Sequence, residues 1–167
     1  MFNKRLFTGV MLACALSVLS AGAQMWHFHD PLSGSQEVPP NSSPATGIAM
    51  GTYDQATRTL RIMVNASGFQ SNLLFGHIHR GAVGVNGPVV FFLNNTSSDP
   101  RVWTSDDTFT LTSAQEADFL AGLWYVNLHT QVLSGGEIRG QLNPIPEPAS
   151  LVFLGAGVAG LLWRRRK

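Results

Sequence analysis

From residue 24 to residue 145 apolar and polar residues alternate with period two in short runs, each bounded by a cluster of Pro, Gly, Asn, Asp or Ser. Successive side chains of a strand point to opposite faces, so this pattern predicts half-buried strands. The runs are 26–29, 46–53, 59–66, 73–79, 88–93, 108–112, 123–129 and 137–142, with turn signals at 39–44, 54–57, 84–87 and 94–100. Ser113 followed by Glu116 has the spacing of a capping box, and Ala114, Ala117, Phe119, Leu120 and Ala121 then predict one short helix closed by Gly122. About eight short strands and one short helix predict an all-β fold, either a Greek-key β-sandwich or a flattened barrel.

Alternation also assigns faces. Leu60, Ile62 and Val64, then Trp124, Val126 and Leu128, then Ile138 and Leu142 are expected to point into the core. The opposite faces of the last two strands read Tyr125, Asn127, His129 and Glu137, Arg139, Gln141, which predicts a polar face. His77 and His79 flank Ile78 and project together, away from the core.

Both ends differ from this middle. Residues 1–23 combine Lys4 and Arg5, an apolar run of 6–19 and the small-residue ending Ala21-Gly22-Ala23, the pattern of a secretory signal peptide. The run is shorter than the roughly 20 residues of a membrane span. At the other end Pro146-Glu147-Pro148 precedes an apolar stretch, 151–163, and the cluster Arg164, Arg165, Arg166 and Lys167. As a helix that stretch would reach about 20 Å, short of a hydrocarbon core of roughly 30 Å, so it suits transient membrane contact with its cations left on the cytoplasmic side. Between the ends, 24–145 holds five arginines against nine acids, no lysine and no cysteine. One domain with one core is expected there, and a nucleic-acid partner, a disulfide framework and a thiol enzyme are all excluded.

The triplet, short apolar stretch and basic cluster, in that order, resemble the PEP-CTERM sorting signal. The resemblance implies recognition by an exosortase, a membrane transpeptidase of Gram-negative bacteria that make exopolysaccharide, with cleavage near Pro146-Glu147-Pro148. Signal peptidase would remove the leader. A retained single-pass anchor is the alternative fate of the tail.

Six motifs of the middle occur in a telling order: Gln36-Glu37-Val38-Pro39-Pro40, Ala45-Thr46-Gly47, Gly76-His77-Ile78-His79-Arg80-Gly81, Gly87-Pro88-Val89-Val90, Tyr125-Val126-Asn127-Leu128-His129-Thr130 and Gly135-Gly136-Glu137-Ile138-Arg139-Gly140-Gln141-Leu142. Together they resemble the CHRD domain, a module named from chordin and common in bacterial secreted proteins. The resemblance implies no particular enzyme activity and no growth-factor binding.

Among the residues that can do chemistry, two imidazoles at alternate positions of one strand, His77 and His79, share a face and can ligate one metal. His129 is a candidate third ligand, and Glu137 a candidate ligand or a partner that fixes an imidazole tautomer. Three histidines with an open position suit Zn²⁺ or copper. The competing reading is hydrogen bonding of these histidines across strands to Asn127, Tyr125 or Glu137. A His-x-His strand in a Greek-key domain with a late histidine and arginine is also similar to Cu,Zn superoxide dismutase. The zinc loop, bridging ligand and disulfide cysteines of that family are missing, so kinship of fold is implied and dismutase activity is not. Trp103, Tyr53 and Tyr125 are candidate platforms for stacking on sugars, with core packing as the alternative. His27 and His29 repeat the His-x-His spacing on the first strand, where a solvated face is expected.

The expectation is thus a leader at 1–23, a β domain at 24–145 and a sorting signal at 146–167. The chain reads as an exported, non-enzymatic binding or structural module of the cell surface or extracellular polymer layer, with an exopolysaccharide or surface protein as partner. The alternative is a small metal-binding protein or metalloenzyme at His77, His79 and His129.

Overall fold

Nine strands and one helix make up residues 24–148, the part of the chain that the computed structural model describes. The expected leader and the tail beyond residue 148, with its apolar stretch and basic cluster, lie outside the described residues. In chain order the elements are β1 (Met25–Ser33), a 3-10 turn (Gly34–Gln36), β2 (Thr46–Asp54), β3 (Thr59–Ser67), β4 (Leu73–Arg80), β5 (Val89–Phe92), β6 (Trp103–Thr110), α1 (Ser113–Leu120), β7 (Trp124–Thr130), β8 (Ile138–Gln141) and β9 (Ile145–Pro146). Among the described residues no helix is long and apolar enough to cross a membrane.

The strands form one antiparallel sheet in the order β5-β4-β7-β8-β1-β2-β3-β6, with β9 added to β1. β1, β2 and β3 are a meander, whereas the chain crosses the sheet between β3 and β4, between β5 and β6, and between β6 and β7. The sheet curls into a half-barrel, so of the two expected architectures the flattened barrel describes it. The curl brings its first and last strands together: Phe91 of β5 and Phe109 of β6 stack at 4.3 Å between centroids.

The concave face is the core, and Leu60, Ile62, Val64, Trp124, Val126, Leu128, Ile138 and Leu142 all point into it, fully buried. Phe119 of α1 sits among Phe28 at 5.9 Å, Tyr53 at 5.4 Å and Trp124 at 5.5 Å, so the helix closes the barrel with one ring in edge-on and tilted contacts. The helix begins one residue earlier than expected. Thr112 is the N-cap: its Oγ1 accepts from the Gln115 N–H at 3.3 Å, and its own N–H donates to Gln115 Oε1 at 2.9 Å. Gly122, at φ +68°, ends it as the pattern required.

Two strands are longer than their alternation showed. β6 starts at Trp103, five residues ahead of expectation, because its inward positions include Ser105 and Asp107. Asp107 tolerates burial by accepting from Asn94 Nδ2 at 2.7 Å and the Asn94 N–H at 3.2 Å. β1 runs on through Asp30 and Pro31, where buried Asp30 accepts from the Asn143 N–H at 2.9 Å and its Nδ2 at 2.8 Å.

The position of Phe119 gives a direct test of this core. Phe119→Ala should cost about 3–5 kcal/mol of stability, the usual range for an aromatic removed from a filled core. Urea unfolding of residues 24–148 measures it. A loss within about 0.5 kcal/mol, as at a surface position, would contradict the packing described.

Candidate metal centre

Ile78 is buried in the core, so the alternation of β4 puts His77 and His79 on the convex face. The neighbouring β7 supplies the third imidazole. His77 lies opposite Asn127 and His79 opposite Tyr125, which sets His129 on the diagonal from His77, within reach of a ring. His77 Nδ1 and His129 Nε2 are 3.3 Å apart, and ring centroids are separated by 5.0 Å (His77–His129), 5.4 Å (His77–His79) and 5.9 Å (His79–His129). One nitrogen from each of the three lies within 4.8 Å of the others. Two nitrogens bound to one Zn²⁺ at about 2.0–2.1 Å and a tetrahedral angle stand about 3.3–3.4 Å apart, the spacing of the His77–His129 pair.

Backbone carbonyls fix two of the tautomers. His79 Nδ1–H donates to Gly87 O at 2.9 Å and His129 Nδ1–H to Ser134 O at 2.9 Å, which makes Nε2 of each the nitrogen that carries the lone pair; that of His129 accepts from His77 Nδ1–H at 3.3 Å. Nε2 of His79 is buried with no hydrogen-bond partner, an expensive arrangement unless something outside the chain takes it up; Nε2 of His77 is also without a partner, while its Nδ1 is the nitrogen that faces His129. Burial holds all three imidazoles below their ordinary pKa. For His77 burial comes first and the neighbouring His129 and His79 add to it, bringing the group to about 4. His79 and His129 are lowered by burial against the opposing pull of their carbonyl partners. The three are therefore neutral at neutral pH, the form that ligates a metal.

The rim is aromatic. Phe75 stacks on His77 at 5.9 Å, Phe92 meets it edge-on at 4.7 Å, and Tyr125 stacks on His79 at 5.0 Å. Phe75 and Phe92 are more than half exposed, so two apolar rings that reach the surface flank His77.

Glu137 does not join them. Its Oε1 accepts from Ser43 Oγ at 2.6 Å and the Gln70 N–H at 3.1 Å, and its Oε2 from Thr130 Oγ1 at 2.6 Å. All three of its donors come from residues other than the imidazoles, and the partner of His129 Nδ1 is Ser134 O instead. His27 lies on β1 against Glu147, and His29 is exposed on the same strand.

The convex polar face of β7 and β8 is covered, not solvated. Tyr125, Asn127, Glu137, Arg139 and Gln141 are all buried beneath the loops. Arg139 lies 3.3 Å over the Tyr125 ring and donates to Val85 O at 2.8 Å, Asn86 Oδ1 at 3.1 Å and Ala82 O at 3.2 Å. Gln141 Nε2 donates to Gly122 O at 2.7 Å and Gly81 O at 3.0 Å. Beside them Glu37 is buried, and burial pushes its carboxyl up to about 7 against the opposing charge of Arg139. Tyr53, Trp103 and Tyr125 are all buried too, so none is a stacking platform for sugars. The carbonyls of Gly87 and Ser134 and the rim rings Phe75 and Phe92 were not singled out by sequence. A carbonyl carries no mark in the sequence, whereas Phe75 stands two residues before His77 and shares its face.

A family model for the CHRD domain matches residues 28–142, and one for the PEP-CTERM protein-sorting motif matches residues 144–167. The second marks an exported protein processed by signal peptidase and exosortase. No curated protein and no solved structure matches the chain.

The shifted groups have a pH signature. The unfolded chain protonates its histidines near the ordinary 6.5, whereas folded His77 waits until about 4, so its contribution to stability is present above 6.5 and lost as pH falls from there. Glu37 works the other way: the unfolded group ionises near 4.5 and the folded one near 7, so its contribution is lost as pH rises between them. In an NMR titration of residues 24–148 without metal, His77 should titrate near 4 and Glu37 near 7. A His77 midpoint at its ordinary value would contradict the burial described.

Proposed function

We propose, for a chain that belongs to the CHRD domain family and carries a PEP-CTERM sorting motif, that it is a metal-binding module of the cell surface or extracellular polymer layer, with Zn²⁺ or copper held by His77, His79 and His129. One observation carries the reading: three neutral imidazoles converge on the same face, two of them turned by backbone carbonyls so that Nε2 carries the lone pair. Nitrogen donors of this kind select Zn²⁺ or copper over the hard, oxygen-seeking Ca²⁺ and Mg²⁺.

Three protein ligands leave one tetrahedral position open. With the exposed rings of Phe75 and Phe92 beside that position, the metal serves as the point at which an exopolysaccharide group or a surface protein attaches. Glu137 acts on the site from a distance by holding the turn that carries Ser134. In the same reading signal peptidase removes residues 1–23, the domain is 24–145, and exosortase takes up the signal at 146–167 through transient membrane contact of 151–163. Arg164, Arg165, Arg166 and Lys167 stay on the cytoplasmic side until the tail is cut. The released chain is extracellular or at the cell surface.

Residues 24–148 contain every described strand and core residue, so this unit is suited to calorimetry with Zn²⁺ and Cu²⁺. One equivalent should bind, and the His77→Ala/His79→Ala variant should lose at least roughly 100-fold in affinity, more than changes in the residues around a metal usually cost. Metal at 100 times its Kd should also raise the stability of the wild type by about 2.7 kcal/mol. Equal affinity in the two proteins would overturn the assignment.

A further inference from the structure

The sorting triplet is part of the folded sheet. Ile145 and Pro146 pair with β1, His27 opposite Ile145 and Trp26 opposite Pro146, and the Glu147 N–H extends the ladder by donating to Met25 O at 2.9 Å. β8 meets the same edge of β1 at Ser33 opposite Arg139, and this pairing has the same register as β9. β8 and β9 are therefore one line of chain along β1. Between these pairs, at 140–144, the line makes no pair with β1, and there the Asp30 carboxylate takes up the Asn143 N–H and its Nδ2.

Side chains tie down the end of this line. His27 Nε2–H donates to Glu147 Oε1, and Gln24 Nε2 donates to Glu147 O at 3.2 Å. Ile145 is exposed, so hydrogen bonds and not apolar burial hold the segment. The prolines decide which edge can be used. Pro144, Pro146 and Pro148 have no N–H, so Ile145 and Glu147 are the only residues from 144 to 148 that can donate from the backbone. Residues two apart in a strand present their N–H groups to the same side, and here that side faces β1. The outward edge offers no donor, which also protects it from pairing with another strand.

From this geometry we infer that β1 is a docking strand for the Pro146-Glu147-Pro148 triplet, and that the domain competes with the processing enzyme for it. An enzyme that binds the segment as an extended strand needs the donor edge, and that edge is already engaged by Met25, with Gln24 and His27 closing around Glu147. Processing is then fastest on chains whose triplet has been released from β1, and folding of the domain sets its rate. The inference rests on cleavage near the triplet, as proposed above.

Two measurements test it. In residues 24–148 the Glu147 amide should exchange with solvent roughly tenfold more slowly than in His27→Ala or Gln24→Ala, the worth of about one hydrogen bond. Both side chains lie at the surface end of β1, so the fold survives their loss, and unchanged exchange of the Phe119 amide verifies this. In a host with exosortase, pulse-chase of the full chain should show clipping of the tail several-fold faster in His27→Ala than in wild type. A Glu147 amide that exchanges equally fast in all three proteins would overturn the docking. Clipping at equal rates would overturn the competition while leaving cleavage intact. Absence of clipping in every variant would overturn the premise of cleavage and the inference with it.

Discussion

Burial of the Arg139 guanidinium is the constraint on which the outer half of the molecule depends. A charge withdrawn from water must be paired or hydrogen-bonded on all sides, and Arg139 finds its partners in one loop: the carbonyls of Ala82 and Val85 and the side chain of Asn86. The Tyr125 ring fills the space beneath it, and the hydroxyl of the same tyrosine accepts the Gly87 N–H at 3.1 Å. The loop is thereby fixed at both ends of one aromatic ring. Its last residue then presents the carbonyl that orients His79. A guanidinium on β8 thus determines which nitrogen of an imidazole on β4 is free.

Glu137, two residues earlier on the same segment, does the equivalent for His129. It accepts from Thr130 Oγ1, which in turn accepts the Leu133 N–H at 3.3 Å, and it also gathers Ser43 and the Gln70 N–H. These bonds set the turn after β7, and the turn supplies Ser134 O to His129 Nδ1. Gly136 allows the approach: at φ +134° it adopts a backbone that side chains rarely take, and a Cβ there would collide with Asn127 and Glu37. The motif Gly136-Glu137-Ile138-Arg139-Gly140-Gln141 is therefore a support for the imidazoles. Each of its charged residues holds a loop, and each loop aims one ring.

Much of this was legible in the sequence, and the limits follow from what alternation encodes. Period two separates faces, so the inward positions of β3 and β7 and the shared direction of His77 and His79 could be read directly. It does not say what lies over a face. The polar residues of β7 and β8 could be read only as a polar face, because pairing with distant loop carbonyls is what makes their burial tolerable, and those carbonyls belong to residues of any type. The same gap made Glu137 look like a partner of the imidazoles when its donors come from residues 43, 70 and 130. The first half of β6 was hidden because Ser105 and Asp107 face inward, and the helix start was misplaced by one residue because Thr112 with Gln115 has the same spacing as Ser113 with Glu116. Trp103, Tyr53 and Tyr125 have both apolar bodies and polar tips, and composition alone does not decide between core and surface for such rings.

The strand register joins the two ends of the functional argument. β8 and β9 follow β1 in a single register, so the residue that fixes the Arg139 loop and the residue that anchors the sorting triplet are set by the same alignment. A slip by one residue along β1 would turn Glu137, Arg139 and Gln141 into the apolar core and carry Ile138 outward, which burial of those charges forbids. The same slip would move the Glu147 N–H away from Met25 O. The energetic penalty that enforces the register is thus paid at the centre of the sheet, while its consequence for Pro146-Glu147-Pro148 appears at the edge. Two short pairs and two side-chain contacts would hold a free peptide only weakly. Attached to a strand whose register is fixed by a buried guanidinium, they need only close the last turn of a line already laid.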